Sequence, residues 1–430
     1  MKWIIYNFLF LFFIVLFSPK FISRIVKRGG YYKNFSNRLS IYKNINFNNN
    51  LFKNKIWIHG VSVGEINIAL ELIKKIRKKN NSVFFIISTN TSTAYKIVEK
   101  EKHNDDILIY FPFDIPVIIN KSLKIINPQQ ILLIEGEFWP NLVLKAKKLN
   151  IPIHLINARI SNSSYKNYLF FNYFTKDVLS KISTISVQSE NDYKKFIKLG
   201  ANKSSIYVAG SMKFDLVKTS KNLSISNFFN IKFNLEKQNK VFLMGVSTWP
   251  NEEKLILDTY QSLKKTFSEL ILIIAPRHIE RVPDIEKLIK SFQYKIIKRS
   301  DHLNFKIYDN EVLLIDSTGE LNSIFNEIDI SYIGKSFAIP NIGGQNLIEP
   351  ASKNSVILTG KYMDNFRDII SIFDKFNARI VIENNKDLEL KIKELLTNKG
   401  YLNDMKNKSR EAIAYGKGAL DKTLSYIKLN

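Results

Sequence analysis

The chain has 430 residues, 45% hydrophobic and 24% charged, which is enough for two globular domains and excludes disorder throughout. It lacks cysteine, which excludes disulfides, thiolate metal sites and cysteine nucleophiles, and its five histidines include no i, i+4 pair typical of a zinc helix. The formal net charge of +25 suits an anionic membrane, a phosphorylated substrate or nucleic acid, or only reflects a general enrichment in lysine; no nucleic-acid recognition motif is present.

The N-terminal segment at 3–17 is almost wholly apolar and is interrupted only by Asn7. This segment is short for a helix that spans a bilayer, which takes about 20 residues, so a signal peptide, a short anchor and an interfacial helix are alternatives. No small-residue cleavage site follows it, and basic residues cluster directly after it, at 20–28. We therefore expect an N-terminal membrane anchor at 1–28 that leaves the rest of the chain on the cytoplasmic face.

From residue 55 onward, short apolar runs alternate with amphipathic stretches of helical periodicity. The first series of predicted strands lies at 55–59, 83–88, 107–111, 131–134, 153–156, 184–187 and 206–209. Predicted helices between them include 66–78, 91–100, 141–149 and 191–199. Continuous apolar strands separated by helices are typical of a parallel α/β sheet that is covered on both faces.

A polar stretch at 218–239 interrupts this alternation and is predicted to be an interdomain linker. A second series of predicted strands follows at 241–244, 270–274, 294–297, 312–315, 328–332, 356–358 and 379–382, with closing helices at 388–397, at 405–415 and after residue 418. We predict an α/β fold of two doubly wound, Rossmann-like domains, at 50–217 and 240–430, that face each other across a cleft. Ligands of such sheets bind beyond the carboxyl ends of the strands, so the chemistry is expected in those loops.

Two loops of the first predicted domain carry acids. Glu65 ends a turn with two glycines at the start of a helix, where it is either a base at the mouth of the cleft or a residue that only complements the helix dipole. Glu135 and Glu137 follow the strand at 131–134 and would project to the same side. Such a pair can have the shifted pKa values that base catalysis needs, or can be one structural hydrogen bond and one solvated acid.

Two loops of the second predicted domain suit an anion. Arg277 follows the strand at 270–274, where its guanidinium can bind a phosphate or form a surface cluster with Arg281. The glycine pair at 343–344 precedes a predicted helix and would expose backbone N–H groups to an anion, with Asn346 and Glu349 on one helical face. The alternative for this segment is an ordinary glycine turn.

In their order along the chain, these motifs resemble the 3-deoxy-D-manno-octulosonic acid (Kdo) transferases of lipopolysaccharide synthesis. The resemblance extends over essentially the whole chain and rests on residues 57–65, 111–114, 135–141, 156–161, 213–215, 247–248, 276–278, 318–320 and 346–350. It implies the two-lobed glycosyltransferase fold called GT-B. It also implies that CMP-Kdo is the donor and that a sugar hydroxyl of the lipid A precursor, lipid IVA, is the acceptor, with inversion at the anomeric carbon.

The resemblance assigns roles to individual residues. Glu65 matches the general base, and Glu135 and Lys213 match positions that stabilise the transition state. The positions that match the CMP-binding segments are Pro276, Arg277, Thr318, Gly319, Glu320, Asn346, Leu347, Ile348 and Glu349. Because cationic side chains and helix N-terminal amides can stabilise the charge on the departing phosphate, no metal and no separate cofactor is expected.

The expected partners are CMP-Kdo, the lipid A precursor and the anionic inner membrane, at its cytoplasmic face, and not nucleic acid. One alternative is another membrane-associated GT-B transferase that uses a different nucleotide sugar such as ADP-heptose. A second alternative is a basic, anchored protein without enzymatic activity.

Four positions depart from the family pattern. Lys335 replaces the second residue of a glycine pair, Trp249 stands where histidine commonly follows Ser-Thr, and Gln345 replaces a histidine. Ser211 replaces the asparagine that is usual two residues before Lys213. Three of the four lie in the predicted donor domain.

Overall fold

Runs of apolar residues that are buried on both faces form the strands of two parallel sheets in this computed structural model. The structure describes residues 3, 4, 6–8, 12, 34–47, 54–136, 138–217, 240–300, 310–337, 340 and 342–427. The chain divides into two units: Met1–Leu216 together with Gly418–Asn430, and Val217–Lys417. The predicted linker at 218–239 and most of the predicted anchor lie outside the described residues.

The first unit has a seven-stranded parallel sheet. Its strands are β1 (Asn54–His59), β2 (Val83–Thr89), β3 (Ile107–Tyr110), β4 (Gln130–Ile134), β5 (Ile153–Ala158), β6 (Thr184–Val187) and β7 (Ile206–Val208). Its helices before the second unit are α1 (Val63–Lys79), α2 (Ser92–Glu101), α3 (Pro116–Ile126), α4 (Pro140–Lys148), α5 (Asn162–Phe170), α6 (Asn172–Leu179) and α7 (Glu190–Lys198), with 3₁₀ turns at Phe35–Leu39, Lys203–Ser205 and Met212–Phe214.

The strand order of the first unit is β3-β2-β1-β4-β5-β6-β7, and every neighbouring pair is parallel. This is the Rossmann order, extended by one strand. It reverses between β1 and β4, and loops diverge at such a reversal and leave a crevice at the carboxyl edge of the sheet. The loops after β1 and β4, which carry Glu65 and Glu135, are therefore the two that flank this crevice.

The second unit has its own seven-stranded parallel sheet, with 3₁₀ turns at Ile279–Arg281, Phe325–Glu327 and Asp364–Phe366. Its strands are β8 (Val241–Thr248), β9 (Leu270–Pro276), β10 (Lys295–Lys298), β11 (Glu311–Leu314), β12 (Ile330–Ile333), β13 (Val356–Gly360) and β14 (Arg379–Ile382). Its helices are α8 (Glu252–Lys264), α9 (Val282–Ser291), α10 (Leu321–Ile324), α11 (Ile348–Ser352), α12 (Arg367–Lys375), α13 (Asn385–Thr397) and α14 (Lys399–Gly416).

The strand order of the second unit is β10-β11-β9-β8-β12-β13-β14. All neighbouring strands are parallel. The order reverses between β8 and β12, so the loops after these two strands flank the crevice of this sheet. The prediction of two parallel-sheet α/β domains is confirmed.

The last helix, α15 (Ala419–Tyr426), corrects the predicted domain boundary at 240–430, because residues 418–430 belong to the first unit. The carboxylate of Asp215 accepts hydrogen bonds from the backbone N–H of Gly418 at 2.6 Å and of Leu420 at 2.8 Å. The hydroxyls of Ser186 and Thr423 form a buried hydrogen bond of 2.7 Å. Apolar residues of this helix also join a core cluster of the first unit.

Six residues of the predicted anchor are described, and some of them contact the first unit. Trp3 Nε1 donates to Asp177 Oδ2 at 3.0 Å, and Asn141 Nδ2 donates to Asn7 Oδ1 at 2.7 Å. The side chains of Ile4, Phe8 and Phe12 are exposed. No helix within the described part of the chain combines the length and the apolar character that crossing a bilayer would need.

Candidate active site

Glu65 lies in the first turn of α1, directly after the β1 loop. Ser62 is the N-cap of this helix: its Oγ accepts from Glu65 N–H at 3.3 Å and donates to Glu65 Oε1 at 2.7 Å. The other carboxylate oxygen, Oε2, accepts from Val61 N–H at 2.7 Å. This reciprocal arrangement is a variant of the capping box, so Glu65 has a structural role at the start of α1, and this role leaves its assignment as a base a prediction.

The environment of Glu65 favours its protonated form. Partial burial raises the pKa of Glu65, the hydrogen bonds from Val61 and Ser62 oppose that rise, and the negative charge of Glu135 adds to it. The net direction is upward, which makes the carboxylate a stronger base than an exposed glutamate. Gly60 keeps the turn close to the helix, because a Cβ at this position would lie 3.1 Å from Glu65 Cβ.

Glu135 follows β4 and forms the centre of an ion-pair cluster. It is only 7% exposed, and its carboxylate lies 2.9 Å from Arg159 Nε and 3.1 Å from Lys213 Nζ. Burial by itself would raise the pKa of Glu135, but the charges of Lys213 and Arg159 outweigh it and hold the pKa below its ordinary value. Its backbone φ of 62° is in the left-handed region, and such strain in a residue other than glycine is common at functional sites.

Lys213 is held in place by the backbone on both sides of it. Met212 N–H donates to Asn157 Oδ1 at 3.0 Å, and Phe214 is fully buried. Lys213 and Glu135, each expected to stabilise the transition state, form an ion pair of 3.1 Å. Arg159 was not predicted as a partner, although its place directly after β5, the neighbour of β4, was a usable signal.

Asp114 connects the motif at 111–114 to the start of α4, where the motif at 135–141 ends. Its carboxylate accepts from the N–H groups of Asn141 and Leu142, both at 2.9 Å, and so caps the start of α4. Burial raises the pKa of Asp114 to about 6 despite these hydrogen bonds. Motif 111–114 thus fixes the helix that follows the Glu135 loop. Glu137 lies outside the described residues, so its pairing with Glu135 stays a prediction.

The predicted donor segments of the second unit follow four adjacent strands. Pro276 ends β9 and Arg277 comes next, while Ser247 and Thr248 end β8. Residues 318–320 follow β11, and residues 346–349 include the end of the loop after β12 and the start of α11. Since β11, β9, β8 and β12 are neighbours in that order, the structure brings all these segments to one edge of one sheet.

The two arginines near β9 have different environments. Arg281 makes a bidentate ion pair with Glu253, at 2.8 and 2.9 Å, and also donates to Thr248 O. Arg277 is exposed, and within the described part of the chain its guanidinium forms no ion pair. Both residues donate to Thr248 O, Arg277 through its backbone N–H, so the alternative of a surface cluster stays open, but only Arg277 is exposed and accessible to an anion.

The backbone amides of the glycine pair at 343–344 favour the alternative of an ordinary turn over an anion site. Gly343 N–H donates to Tyr362 O at 3.3 Å, and Gly344 N–H donates to Lys335 O at 2.7 Å. Both amides are thus already used within the fold, and α11 has only five residues. Asn346 precedes α11, so the two residues do not share a helical face as predicted, although Asn346 Nδ2 donates to Glu349 Oε1 at 3.0 Å.

Two acids of the second unit make contacts within the fold. Glu320, predicted to contact the nucleotide, forms an ion pair with Arg299 at 2.6 Å. Glu252, which the sequence analysis missed, is 2% exposed and accepts from the N–H groups of Trp249, Lys335 and Ser336 at 2.9, 2.8 and 3.1 Å. It therefore joins the loops after β8 and β12 across the crevice. Among the described residues, no three His, Asp or Glu side chains are grouped as a metal site would require.

Comparison with known proteins gives consistent matches. A family model described as 3-Deoxy-D-manno-octulosonic-acid transferase (kdotransferase) matches residues 33–216. A 3-deoxy-D-manno-octulosonic acid transferase of Rickettsia typhi is 31% identical over 375 residues, which are 87% of this chain and 79% of that protein. A bifunctional glycosyltransferase/methyltransferase of Fusobacterium nucleatum is 37% identical over 320 residues, 73% of this chain and about half (48%) of that protein's length.

A solved structure shows the same fold. The UDP-GlcNAc 2-epimerase of Neisseria meningitidis superimposes with a TM-score of 0.60 and 14% sequence identity. The match covers 87% of this chain and 100% of the epimerase. At this identity the likeness concerns the fold alone, which is of the GT-B kind with two parallel-sheet α/β domains.

Proposed function

The chain belongs to the 3-deoxy-D-manno-octulosonic acid transferase family of glycosyltransferases, and on that premise we propose that it moves Kdo from CMP-Kdo to a hydroxyl of the lipid A precursor. In this reaction the hydroxyl oxygen attacks the anomeric carbon, the bond from that carbon to the phosphate oxygen breaks, and CMP leaves with the electron pair. The observation that carries the proposal is the position of Glu65 and the Glu135 cluster on the two loops that flank the first unit's crevice.

We assign the general-base step to Glu65. Its raised pKa supports proton transfer from the acceptor hydroxyl, and each carboxylate oxygen that accepts from Val61 or Ser62 has a further lone pair for this proton. The hydrogen bonds from Val61 and Ser62 hold the carboxylate in place during proton transfer. Its orientation therefore requires no further loss of conformational entropy.

Glu135 and Lys213 are assigned to stabilisation of the transition state. The carboxylate of Glu135 fixes Lys213 and Arg159, which keeps two cations beside the crevice in a preorganised arrangement. Positive charge fixed in this way stabilises negative charge as it develops, without reorganisation during the reaction.

The donor is proposed to bind the second unit at the edge formed by β11, β9, β8 and β12. Arg277 is the proposed phosphate contact, since it is exposed and makes no ion pair among the described residues. The other proposed contacts are Pro276, Thr318, Gly319, Glu320, Asn346, Leu347, Ile348 and Glu349. CMP-Kdo is a co-substrate, and no metal or further cofactor is part of the proposed reaction.

The protein is proposed to work at the cytoplasmic face of the inner membrane, with its N-terminal segment as the anchor. The first unit offers a second apolar feature, an aromatic corner formed by Phe170, Phe171 and Tyr173 at the junction of α5 and α6. These side chains are 83%, 56% and 71% exposed. Exposed aromatic groups together with a net charge of +25 suit an anionic lipid surface that contains the acceptor.

The test is incubation of the purified protein with lipid A precursor and either CMP-Kdo or ADP-heptose, followed by mass measurement of the lipid product. We expect mass increments of Kdo with CMP-Kdo alone. Transfer of heptose alone would replace the proposal with the alternative nucleotide sugar. No transfer from either donor, with unchanged lipid binding after Glu65→Gln, would support the non-enzymatic alternative.

A further inference from the structure

Lys335 is a half-buried cation in the loop directly after β12, on one side of the second unit's crevice. Its backbone φ is 60°, a left-handed conformation that glycine adopts without cost and lysine does not. Its backbone is fixed at both ends, because N–H donates to Glu252 and O accepts from Gly344. Within the described residues its ammonium group forms no ion pair with a carboxylate.

Trp249 lies on the opposite side of the same crevice, directly after β8. Lys335 Nζ is 4.7 Å from the centroid of its ring, which is a cation–π contact. The rings of Trp249 and His278 make a T-shaped contact, with centroids 5.2 Å apart and planes at 79°. Trp249 Nε1 and Thr248 Oγ1 are buried and have no hydrogen-bond partner among the described residues.

The close approach of the two loops depends on the residue before Lys335. A Cβ at Gly334 would come within 2.2 Å of Ser247 O, so only glycine permits the loops after β8 and β12 to meet here. The backbone around Lys335 is therefore constrained, and it holds the side chain in contact with Trp249. The two residues that depart from the family pattern in these loops are thus in contact with each other.

The ammonium of Lys335 is held against the Trp249 ring, and no carboxylate among the described residues neutralises its charge. The loops after β8 and β12 form the site where a doubly wound sheet binds the phosphate of a nucleotide, and Arg277 follows the adjacent β9. The indole face holds the ammonium without neutralising its charge, and so keeps that charge available to a ligand.

We propose that Lys335 binds the phosphate of the nucleotide donor and that Trp249 is the residue that positions its ammonium group. This inference rests on the proposed donor site in the second unit. It gives this chain a second phosphate-binding cation beside Arg277, at a position where the family pattern has glycine.

The test is calorimetric binding of CMP and of cytidine, which lacks the phosphate, to the full chain and its variants. Lys335→Gly is expected to weaken CMP binding about tenfold to a hundredfold, the range for a hydrogen-bonded charge pair, and to leave cytidine binding unchanged. Lys335→Arg keeps the cation and is expected to retain most of the affinity. Because glycine fits a φ of 60°, loss of binding by Lys335→Gly cannot come from backbone strain.

The role of Trp249 is tested by a double-mutant cycle. Trp249→Leu is expected to weaken CMP binding by about threefold to tenfold when Lys335 is present, and to have no further effect in the Lys335→Gly protein. Equal losses from Trp249→Leu in both backgrounds would overturn the positioning role.

Unchanged CMP affinity after Lys335→Gly would overturn the phosphate assignment. Weaker binding of CMP-Kdo with unchanged CMP binding would also overturn it, because the contact would then be to the carboxylate of the sugar. Failure of the unaltered protein to transfer Kdo, while its CMP affinity still depends on Lys335, would reject the proposed reaction and leave the inference standing.

Discussion

The carboxylate of Glu65 is bonded to the loop that precedes its own helix, and these bonds affect both the helix and the acid. They stabilise the first turn of α1 and oppose the rise in pKa that burial and Glu135 cause. A substitution at Glu65 therefore changes two properties, and a catalytic role must be separated from a capping role by a neighbouring substitution.

Glu65→Gln is expected to lower kcat by about 10²–10⁴, the contribution of a general base, while the affinity for CMP-Kdo stays the same. Ser62→Ala is the matched control, because it removes the N-cap hydroxyl but keeps the carboxylate. It is expected to lower the free energy of unfolding by about 1 kcal/mol and to retain most of the activity. Steady-state kinetics and thermal unfolding of both variants check this, and equal losses of kcat would mean that Glu65 acts only as a cap.

His154, in β5, gives the first unit a specific sensitivity to acid. Burial lowers the pKa of His154 to about 4, and neither ring nitrogen has a hydrogen-bond partner among the described residues. An unfolded histidine titrates near 6.5, so between about 6.5 and about 4 the unfolded chain takes up a proton that the folded chain does not. This residue's contribution to stability is therefore complete above pH 6.5 and is lost as the pH falls towards 4.

Replacement of this histidine by an apolar side chain is expected to remove the effect. In His154→Leu, the fall in unfolding free energy between pH 7 and pH 4 should be smaller than in the unaltered protein by on the order of 2–3 kcal/mol. Denaturant unfolding at a series of pH values measures both proteins. Identical pH dependence would show that His154 is not the titrating group, whereas the difference between the two curves isolates its contribution from those of other buried acids and histidines.

At the scale of helices and strands, apolar patterning predicted most of the structure. The run at 184–187 coincides with β6, and the helix predicted after residue 418 is present as α15. Periodicity reports only which face of an element is buried. It could not show the left-handed φ of Glu135, because no glycine marks that position, nor that the amides of Gly343 and Gly344 are used within the fold.

The sequence identified only some of the residues that contact one another around Glu135 and in the loops after β8 and β12. The family resemblance, which the comparisons confirm, supplied Glu135 and Lys213, and the structure shows their ion pair at 3.1 Å. Arg159 lies in a motif at a strand end, but its pairing with Glu135, like the contact of Glu252 with Lys335, joins separate segments, and local spacing does not reveal such contacts. Their roles became visible only when the order of the strands was known.

The aromatic corner at the junction of α5 and α6 is the proposed lipid contact of the first unit. Replacement of Phe170, Phe171 and Tyr173 by serine is expected to weaken binding to vesicles of anionic phospholipid on the order of tenfold or more, because insertion of the rings into lipid is lost. The midpoint of thermal unfolding should change little, since these side chains are largely exposed. Vesicle co-sedimentation measures the effect.

A matched control for this surface is Leu390→Ser, which replaces an apolar side chain that is 59% exposed on α13 of the second unit. It is expected to leave vesicle binding unchanged. If the control weakens binding as much as the triple substitution does, the membrane contact is not specific to the aromatic corner.

For the whole molecule, the division into units does not follow the order of the chain. The second unit is one continuous segment, whereas the first is completed by residues 418–427. Hydrogen bonds join Asp215 to residues more than 200 positions later in the sequence. Local sequence patterns predicted the helix here, but a contact of this separation can be assigned only from the folded structure.

A chain that stops after residue 417 is expected to lose stability in the first unit alone. It would lack Leu420, Leu424 and Ile427 from the core cluster around α1, at a cost of several kcal/mol at about 1.5–3 kcal/mol per buried aliphatic side chain. Hydrogen exchange resolved by segment should show faster exchange in β1 and α1 and unchanged exchange in β8 and β9.

The milder variant Asp215→Ala keeps α15 and removes only its two N-terminal hydrogen bonds. It is expected to cost about 1–2 kcal/mol, the usual effect of a lost helix cap. Faster exchange in the second unit, with the first unit unaffected in either protein, would contradict the assignment of α15.

Because α15 packs on the first unit, it also affects the order in which the two units fold during translation. Domains generally fold as they are synthesised, starting from the N-terminus, but the segment that completes the first unit is translated after the whole of Val217–Lys417. The nascent chain must therefore hold the unit that carries Glu65 incomplete while its neighbour is made. If translation stops within the second unit, the chain lacks the C-terminal segment of the first unit. The first unit, which carries Glu65, is therefore complete only in a chain that also contains the proposed donor site.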